Sequence, residues 1–417
     1  MTVPTDPVSI DDRLLPLDEA LERLQRELRP VVAPERVPLR AAAGRILAAD
    51  VVAAVDHPGH AVSAMDGYAV RHADLSADAP VTLPVSGRAA AGHPLPHPLE
   101  PGSTARIFTG AVMPEGADTV IMQEDVTEAG DGGVTLPAGA SHGRHVRAAG
   151  SDFHAGATVL AAGRRLRPPD IALAAAAGQA HLPVFERLRV GVFSTGDEVV
   201  EPGQPLPPGG LYDSNRHGLL ALVEAMGAAV TDLGNLPDDR ARITAALDRA
   251  AEEHHVLITS GGVSVGGEDH VRDAVAALGT LHFWRLAIKP GKPTALGSIR
   301  DTTFIGLPGN PVSALVTFLL VARPVLQRLG GARVVPPRRY PVPAGFSHEN
   351  TGHRRAFLRA WVEDTAEGPR VRLFRSQDSA MTTSLGAATG LVDLPADTDT
   401  VAPGQPVDYL PLTEVLS

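Results

Sequence analysis

The period of apolar positions changes several times along this chain. In PLDEALERLQREL, Leu17, Leu21, Leu24 and Leu28 share one face at helical spacing, with Asp18 and Glu19 in the first turn, where the helix dipole favours acids. Such a face needs a packing partner. A second helical pattern is read over LRAAAGRILAAD, residues 39–50. From Val51 to Gly150 the chain shifts to short strands punctuated by Pro and Gly, with candidates at PVTLPVSG, STARIFTG and DTVIMQEDV. Helix returns at RLRPPDIALAAAAG, where Pro169 suits a first turn and Gly178 a stop. From Leu188 strand and helix alternate, through LRVGVFS, SNRHGLLALVEAMG, AAVTDLGNL, DDRARITAALDRAAEE, HVLITSGGVSVGGEDHVRDAVAALG and FIGLPGNPVSALVTFLL. After PPRRYPVPAG the pattern is β again, in RRAFLRAWVED, PRVRLF, GLVDLP and QPVDYLPL.

This order predicts a multidomain α/β plus β protein. Residues 1–50 with 151–183 form an N-terminal helical and linker domain, and 51–150 an inserted β-rich domain. Residues 184–331 form a central three-layer α/β domain, and 332–417 a small β-barrel-like C-terminal domain. Alternating β and α implies parallel strands, whose carboxyl ends make the crevice where open α/β sheets bind ligands.

Composition narrows the class. A length of 417 residues exceeds what one core usually serves, and 44% apolar residues supply several. The 42 glycines and 37 prolines are scattered among periodic segments, which means turns rather than disorder. Lys and Arg number 37 against 48 Asp and Glu, a net charge of −11, so no overall basic field draws nucleic acid or anionic membrane. The absence of cysteine excludes disulfides, thiolate metal sites and cysteine nucleophiles. Without a run of 18 apolar residues or a charged-then-apolar leader, a cytoplasmic protein is expected.

The candidate chemistry gathers between His255 and Leu319. Gly261, Gly262 and Gly266, with Ser264 among them, lie in a turn from strand to helix, where N–H groups approach an anion closely because no Cβ intervenes. The spacing fits neither the Walker pattern nor the dinucleotide fingerprint. Pro308, Gly309 and Asn310 form a second such turn facing the first, and Ser313 falls in the first turn of the helix after it. Glu198, Asp238 and Asp269 follow strands at the same edge; singly each acid near a helix start reads as a cap, while together they suit one hard cation such as Mg²⁺. Lys289 and Lys292 are framed by Pro and Gly near that edge. In the β insert, SAMDGYAVR presents Asp66 and RIFTGAVMPEGADTV presents Thr109, though Asp-Gly alone is an ordinary turn. The 16 histidines lack the helical frame of zinc hydrolases and read as surface residues. From the residues alone, the chain reads as a Mg²⁺-assisted enzyme acting on a phosphate-bearing ligand.

The motifs SAMDGYAVR, RIFTGAVMPEGADTV, STGDE, ITSGGVSVGGEDH, AIKPGKP and GLPGNPVSA, in this order, resemble the molybdenum insertases, the family that includes bacterial MoeA and the E domain of gephyrin. The resemblance implies insertion of molybdate into adenylylated molybdopterin, with Mg²⁺-dependent release of AMP, by an elongated homodimer. By motif match it implies functional roles for Asp66, Thr109, Glu198, Asp238 and Asp269, and oxyanion contacts for Lys289, Lys292 and Ser313. It adds Arg354 from GHRRAF and Ser376 or Ser379 from RSQDS, and possible contact with other cofactor-biosynthesis proteins. Two departures, Val62-Ser63 before AMDGYA and Arg285 before LAIKPGKP, remove none of these ligands. Two alternatives are an adenylyltransferase acting on molybdopterin, which the α/β domain alone resembles, and a non-catalytic scaffold of the gephyrin E type. The terminal domains with their MDGYA and GHRRAF motifs speak against the first, and the intact polar set against the second.

Overall fold

The protein, a computed structural model, is described over residues 14–130, 132–262, 270–291 and 293–416. Its centre is a six-stranded sheet in the order Ala229–Leu236, Arg189–Thr195, Val256–Ser260, Thr302–Leu307, Pro293–Ile299, Gly279–Arg285. The first four strands are parallel, as their alternation with helices requires. The last two form an antiparallel hairpin added at one edge, which the motif reading passed over because LAIKPGKPTALG was weighed for its lysines. Val256–Ser260 and Thr302–Leu307 are buried along their whole length, the mark of central strands covered on both faces.

Side-chain alternation then divides the core. Val190, Val192, Val256, Ile258, Ile305 and Leu307 pack against Ser214–Ala225 and the long helical stretch 311–329. Phe193, Leu257 and Phe304 point the other way, against Arg240–Glu253 and His270–Leu278. Helix Leu17–Glu27 finds its partner on the first face, burying Leu17, Ala20 and Leu24 beside Leu286 and Leu326. The stretch 311–329 is apolar enough to span a bilayer by length and composition, but 78% of its most apolar window is buried inside the protein. It widens into a π turn at Phe318–Ala322, just before Pro324, which offers no N–H and whose ring would strike the carbonyl of Leu320.

Residues 39–50 do not form the expected helix. Only one 3₁₀ turn, Leu39–Ala41, is present, after which Gly44 takes a positive φ of 77°. The backbone then pairs elsewhere: Gly44 N–H donates to Leu166 O at 2.8 Å and Leu47 N–H to Arg164 O at 2.9 Å. Cross-chain pairing has overridden a modest local helix preference. Nearby, Pro34–Pro38 pairs antiparallel with His181–Phe185, and Val51–Val52 with Thr158–Leu160. The β insert is a second six-stranded sheet, from Thr119–Met122 through Gly67–Val70, Thr104–Ile107, Val81–Ala89 and Gly133–Leu136 to Thr127–Glu128.

The C-terminal sheet runs Ile288–Lys289, Arg355–Thr365, Gly390–Leu394, Pro406–Pro411, Tyr340–Pro343. Its first member comes from the α/β unit: Lys289 pairs with Ala356, so the lysine loop leaves one sheet to edge another. Buried Asp393 fixes the far side, accepting from Arg339 at 2.6 Å and Arg355 at 2.7 Å.

Candidate functional site

Two clefts open where the α/β strands end, and Ser313 lines both. The first, of about 910 Å³, lies over the carboxyl ends of the parallel strands and is lined by Thr195, Glu198, Asn215, Gly262, Gly309 and Asn310. The second, of about 440 Å³, lies between the lysine loop and the C-terminal sheet and is lined by Lys289, His348, Arg354, Arg359, Gln377 and Ser379.

The two glycine turns do face one another. A Cβ built on Gly309 would stand 3.6 Å from the Cα of Gly261. Gly261 and Gly262 both have positive φ, and a Cβ on Gly262 would meet Thr195 Oγ1 at 2.6 Å and Val271 Cγ2 at 2.8 Å. The expected anion cradle needs one correction. Gly261 N–H donates to Leu307 O at 3.0 Å, so the sheet consumes it, while Gly262 N–H keeps no acceptor among the described residues. Ser264, Gly266, Asp269 and Lys292 lie outside the described residues.

The first cleft is braced by charge pairs behind its wall. Asp213 caps the helix Ser214–Ala225, accepting from the Arg216 backbone N–H at 3.0 Å and its Nε at 2.9 Å, and Ser194 Oγ also donates to it. Arg216 is buried and also meets Asp232 and Glu201. Burial pulls its pKa down, but the hydrogen bonds it donates to Asp213 and Asp232 outweigh that and hold it above the ordinary arginine value. This frame aims Asn215, whose Nδ2 donates to Gly309 O at 2.6 Å and pins the second glycine turn.

The carboxylates sort differently from their reading as caps. Asp239, not Asp238, caps the helix Arg240–Glu253, accepting from Arg242 N–H at 2.8 Å. Asp238 is exposed and has no hydrogen-bond or ionic partner among the described residues. Glu198 is exposed as well and lines the first cleft. No group of three or more potential metal ligands occurs among the described residues, and the third expected acid, Asp269, lies outside them.

In the second cleft the charge is net positive: Lys289, Arg354 and Arg359 face one lining carboxylate, Asp378, which forms no salt bridge with them among the described residues. Lys289 sits on the short edge strand, and Arg354 reaches toward Ile288 O at 3.5 Å. Burial, followed by the Lys289 charge, pushes the His348 imidazole below its ordinary range. Arg359, 1% exposed, has no salt bridge: it binds Ser376 O at 3.2 Å, Asp378 O at 3.0 Å and Met381 O at 3.4 Å, and its backbone N–H donates to Gln377 Oε1. These bonds hold the 376–381 loop against the α/β unit, where Asn310 Nδ2 donates to Ser379 Oγ at 2.9 Å and Val312 N–H to Ser379 O at 3.0 Å. Of the two serine options, Ser379 therefore lines the cleft, while Ser376 Oγ accepts from Asp378 N–H within the turn. Motif spacing missed Asn215, His348, Arg359 and Gln377. The available signal was weak, an arginine within the apolar strand AFLRAW and a Gln beside RSQDS.

Asp66 and Thr109 are brought together across 43 residues: Thr109 N–H and Oγ1 donate to one Asp66 oxygen at 2.8 and 2.7 Å. The backbone donor first, then the hydroxyl, lower the Asp66 pKa and favour the ionised form of this half-buried residue. They line neither cleft.

A three-layer α/β unit whose crevice is completed by a β-rich C-terminal unit, with a β insert ahead of it, defines the class of multidomain molybdopterin-binding proteins. The chain matches the MoeA N-terminal region (domains I and II) over residues 15–178, a probable molybdopterin binding domain over 191–328, and the MoeA C-terminal region (domain IV) over 341–412. It is 39% identical to molybdopterin molybdenumtransferase 2 of Mycobacterium tuberculosis, over 94% of this chain and 98% of that one. It is 42% identical to the molybdopterin molybdenumtransferase of Haemophilus influenzae, over 77% and 79%. A crystal structure of the molybdopterin biosynthesis MoeA protein from Pyrococcus horikoshii superposes with a TM-score of 0.83 at 29% identity, covering 95% of this chain and all of that one. The chain belongs to the MoeA, or molybdopterin molybdenumtransferase, family of enzymes.

Proposed function

We propose that the two clefts are the two substrate sites of a molybdenum insertion reaction, the first for adenylylated molybdopterin and the second for molybdate. The observation that carries this reading is the shared wall at Ser313 between a cleft of neutral donors and a cationic one. In the first, the Gly262 N–H, which has no acceptor among the described residues, and the turn pinned by Asn215 suit phosphate oxygens. In the second, molybdate, a dianion with no hydrogen to donate, needs donors and fixed charge, which Lys289, Arg354 and Ser379 offer.

The carboxylates would suit a hard cation, because Asp238 has no partner among the described residues and Glu198 lines the cleft. In this reading Glu198, Asp238 and Asp269 would hold Mg²⁺, which would supply positive charge against the phosphate oxygens. The adenylyltransferase alternative is disfavoured by the wall of the second cleft, which the C-terminal unit builds with Arg354, Arg359 and Ser379. Asp66 and Thr109 line neither cleft of their own chain, and we assign them to the crevice of a second copy in a homodimer.

The reading is tested by giving purified protein adenylylated molybdopterin, molybdate and Mg²⁺, and following AMP and the Mo-loaded cofactor. Formation of both is expected, with AMP release suppressed in Asp238→Asn and Asp269→Asn. Unchanged Mg²⁺-dependent release in both variants overturns the metal assignment, and absence of both products overturns the reaction. Light scattering is expected to give a dimer, and a fully active monomer at nanomolar concentration overturns that assignment.

A further inference from the structure

Away from both clefts, a cavity of about 120 Å³ lies where the paired ribbons of residues 34–38 and 181–185 meet the α/β unit. Arg165, Arg187, Arg323 and Arg333 line it, and none of the four forms an ion pair among the described residues. The fifth arginine on its wall, Arg45, is already matched by Glu35. Glu186 is the one carboxylate on the lining; it is exposed and pairs with none of the arginines. Glu414 gives Arg323 a hydrogen bond through its backbone oxygen, at 3.2 Å; its carboxylate accepts from the Tyr340 hydroxyl and offsets the Arg323 charge in part, at a distance. Gln327 Oε1 is buried there without a partner.

The arginines converge. A Cβ placed on Gly227 would stand 3.6 Å from Arg187 Nη1 and 3.9 Å from Arg165 Nη2. Part of their presence is explained by the helix Ser214–Ala225, whose terminal region receives Arg165 Nη2 on Ala225 O at 2.8 Å and Arg187 Nη1 on Gly227 O at 2.6 Å. That use occupies one N–H of each guanidinium among the described residues, and a helix end carries only about half a negative charge against several positive ones. Burial and then the Arg187 charge lower the Arg165 pKa, and burial and then the Arg165 charge lower that of Arg323, which is 8% exposed. The cavity is thus a cationic space with donors to spare.

We infer that this cavity binds an inorganic tetrahedral oxyanion of the phosphate or sulfate type, clamped between Arg165 and Arg187 on one side and Arg323 on the other. Planar guanidinium forks match such oxygens two at a time. Organic-ligand pockets run from roughly 300 to 1,000 Å³, so a space this small suits an inorganic ion rather than a nucleotide. The ion would fasten the ribbons to the α/β unit, independently of the insertion reaction.

The test is thermal unfolding and calorimetry of the full chain in anion-poor buffer, titrated with inorganic phosphate, then sulfate, against chloride at equal ionic strength. Phosphate is expected to raise the unfolding midpoint beyond chloride. Its affinity is expected to weaken at least tenfold in Arg165→Gln and Arg323→Gln but to persist in Lys289→Met, whose change lies in the other cationic cleft. Should the buried Arg323→Gln variant not fold, Arg165→Gln, at a half-exposed position, decides alone. A phosphate effect no larger than that of chloride, one unchanged in Arg165→Gln, or one abolished by Lys289→Met overturns the site.

Discussion

Arg216 and Arg359 are both buried guanidiniums behind the walls of neighbouring clefts, and they are compensated in opposite ways. Arg216 meets Asp213, Asp232 and Glu201. Among the described residues Arg359 hydrogen-bonds carbonyl oxygens and the Gln377 side chain, and the Asp378 carboxylate reaches it through charge alone. Behind the first cleft the charge is cancelled in the wall, so ligand recognition falls to backbone groups and neutral amides. Behind the second only the Asp378 carboxylate stands near, outside salt-bridge contact, so Arg359, Lys289 and Arg354 leave the cleft a net positive field. A buried charge stays where it costs stability only if a ligand or the fold answers it. The contrast therefore separates a cleft built for shape from one built for charge.

The largest expected effect strikes the compensated side. Arg216→Met strands the buried carboxylate of Asp213 and is expected to destabilise the protein by about 3 to 5 kcal/mol, read by urea unfolding. Little change there would show that the wall is not held by charge. Next, Lys289→Met is expected to weaken molybdate binding about tenfold to a hundredfold, since a charge-assisted bond contributes about 1.5 to 3 kcal/mol, while molybdopterin affinity changes less. Equal losses for both ligands would erase the division between the clefts. Arg359→Gln frees the loop that presents Ser379 and is expected to raise the KM for molybdate by roughly threefold to tenfold with a smaller change in kcat, the loss of about one net hydrogen bond. The conservative Arg359→Lys is expected to recover part of it.

The smallest effect is one of pH. Burial and Lys289 hold the folded His348 pKa below the value of about 6.5 that it has in the unfolded chain. As pH falls through that value the unfolded form takes up the proton first, so His348 subtracts stability below pH about 6.5 and nothing above it. His348→Asn is expected to lose less stability between pH 7.5 and 5.5 than the parent, by calorimetry. Bound molybdate should narrow the difference by favouring the protonated ring.

What could be read from the sequence followed from local rules. Parallel strands, facing glycine turns and a first-turn Ser313 all follow from a period of apolar residues broken by Gly and Pro. The false helix at 39–50 shows the limit, because nothing local to LRAAAGRILAAD announces that Arg164 and Leu166 will claim its backbone. Asp66 and Thr109 could be nominated singly, but not as a bonded pair, since 43 residues separate them. Asp238 and Asp239 stand side by side, and only the turn of the chain decides which one caps and which is left open to a ligand. Arg359 was hidden for a related reason: in an apolar strand it reads as an irregularity until the loop it grips is folded onto it.

Ser313 carries a kinetic consequence as the wall common to both clefts. Two small molecules that must meet in water do so at their bulk concentrations, and a scarce oxyanion would rarely find its partner. In the proposed two-cleft arrangement, lodged on either side of one hydroxyl, they would face each other at an effective molarity that in well-oriented systems reaches about 10⁵ M or more. Enlarging that residue, as in Ser313→Leu, would interpose bulk between them and remove the hydroxyl, and the exchange between them would slow by more than the binding of either ligand weakens.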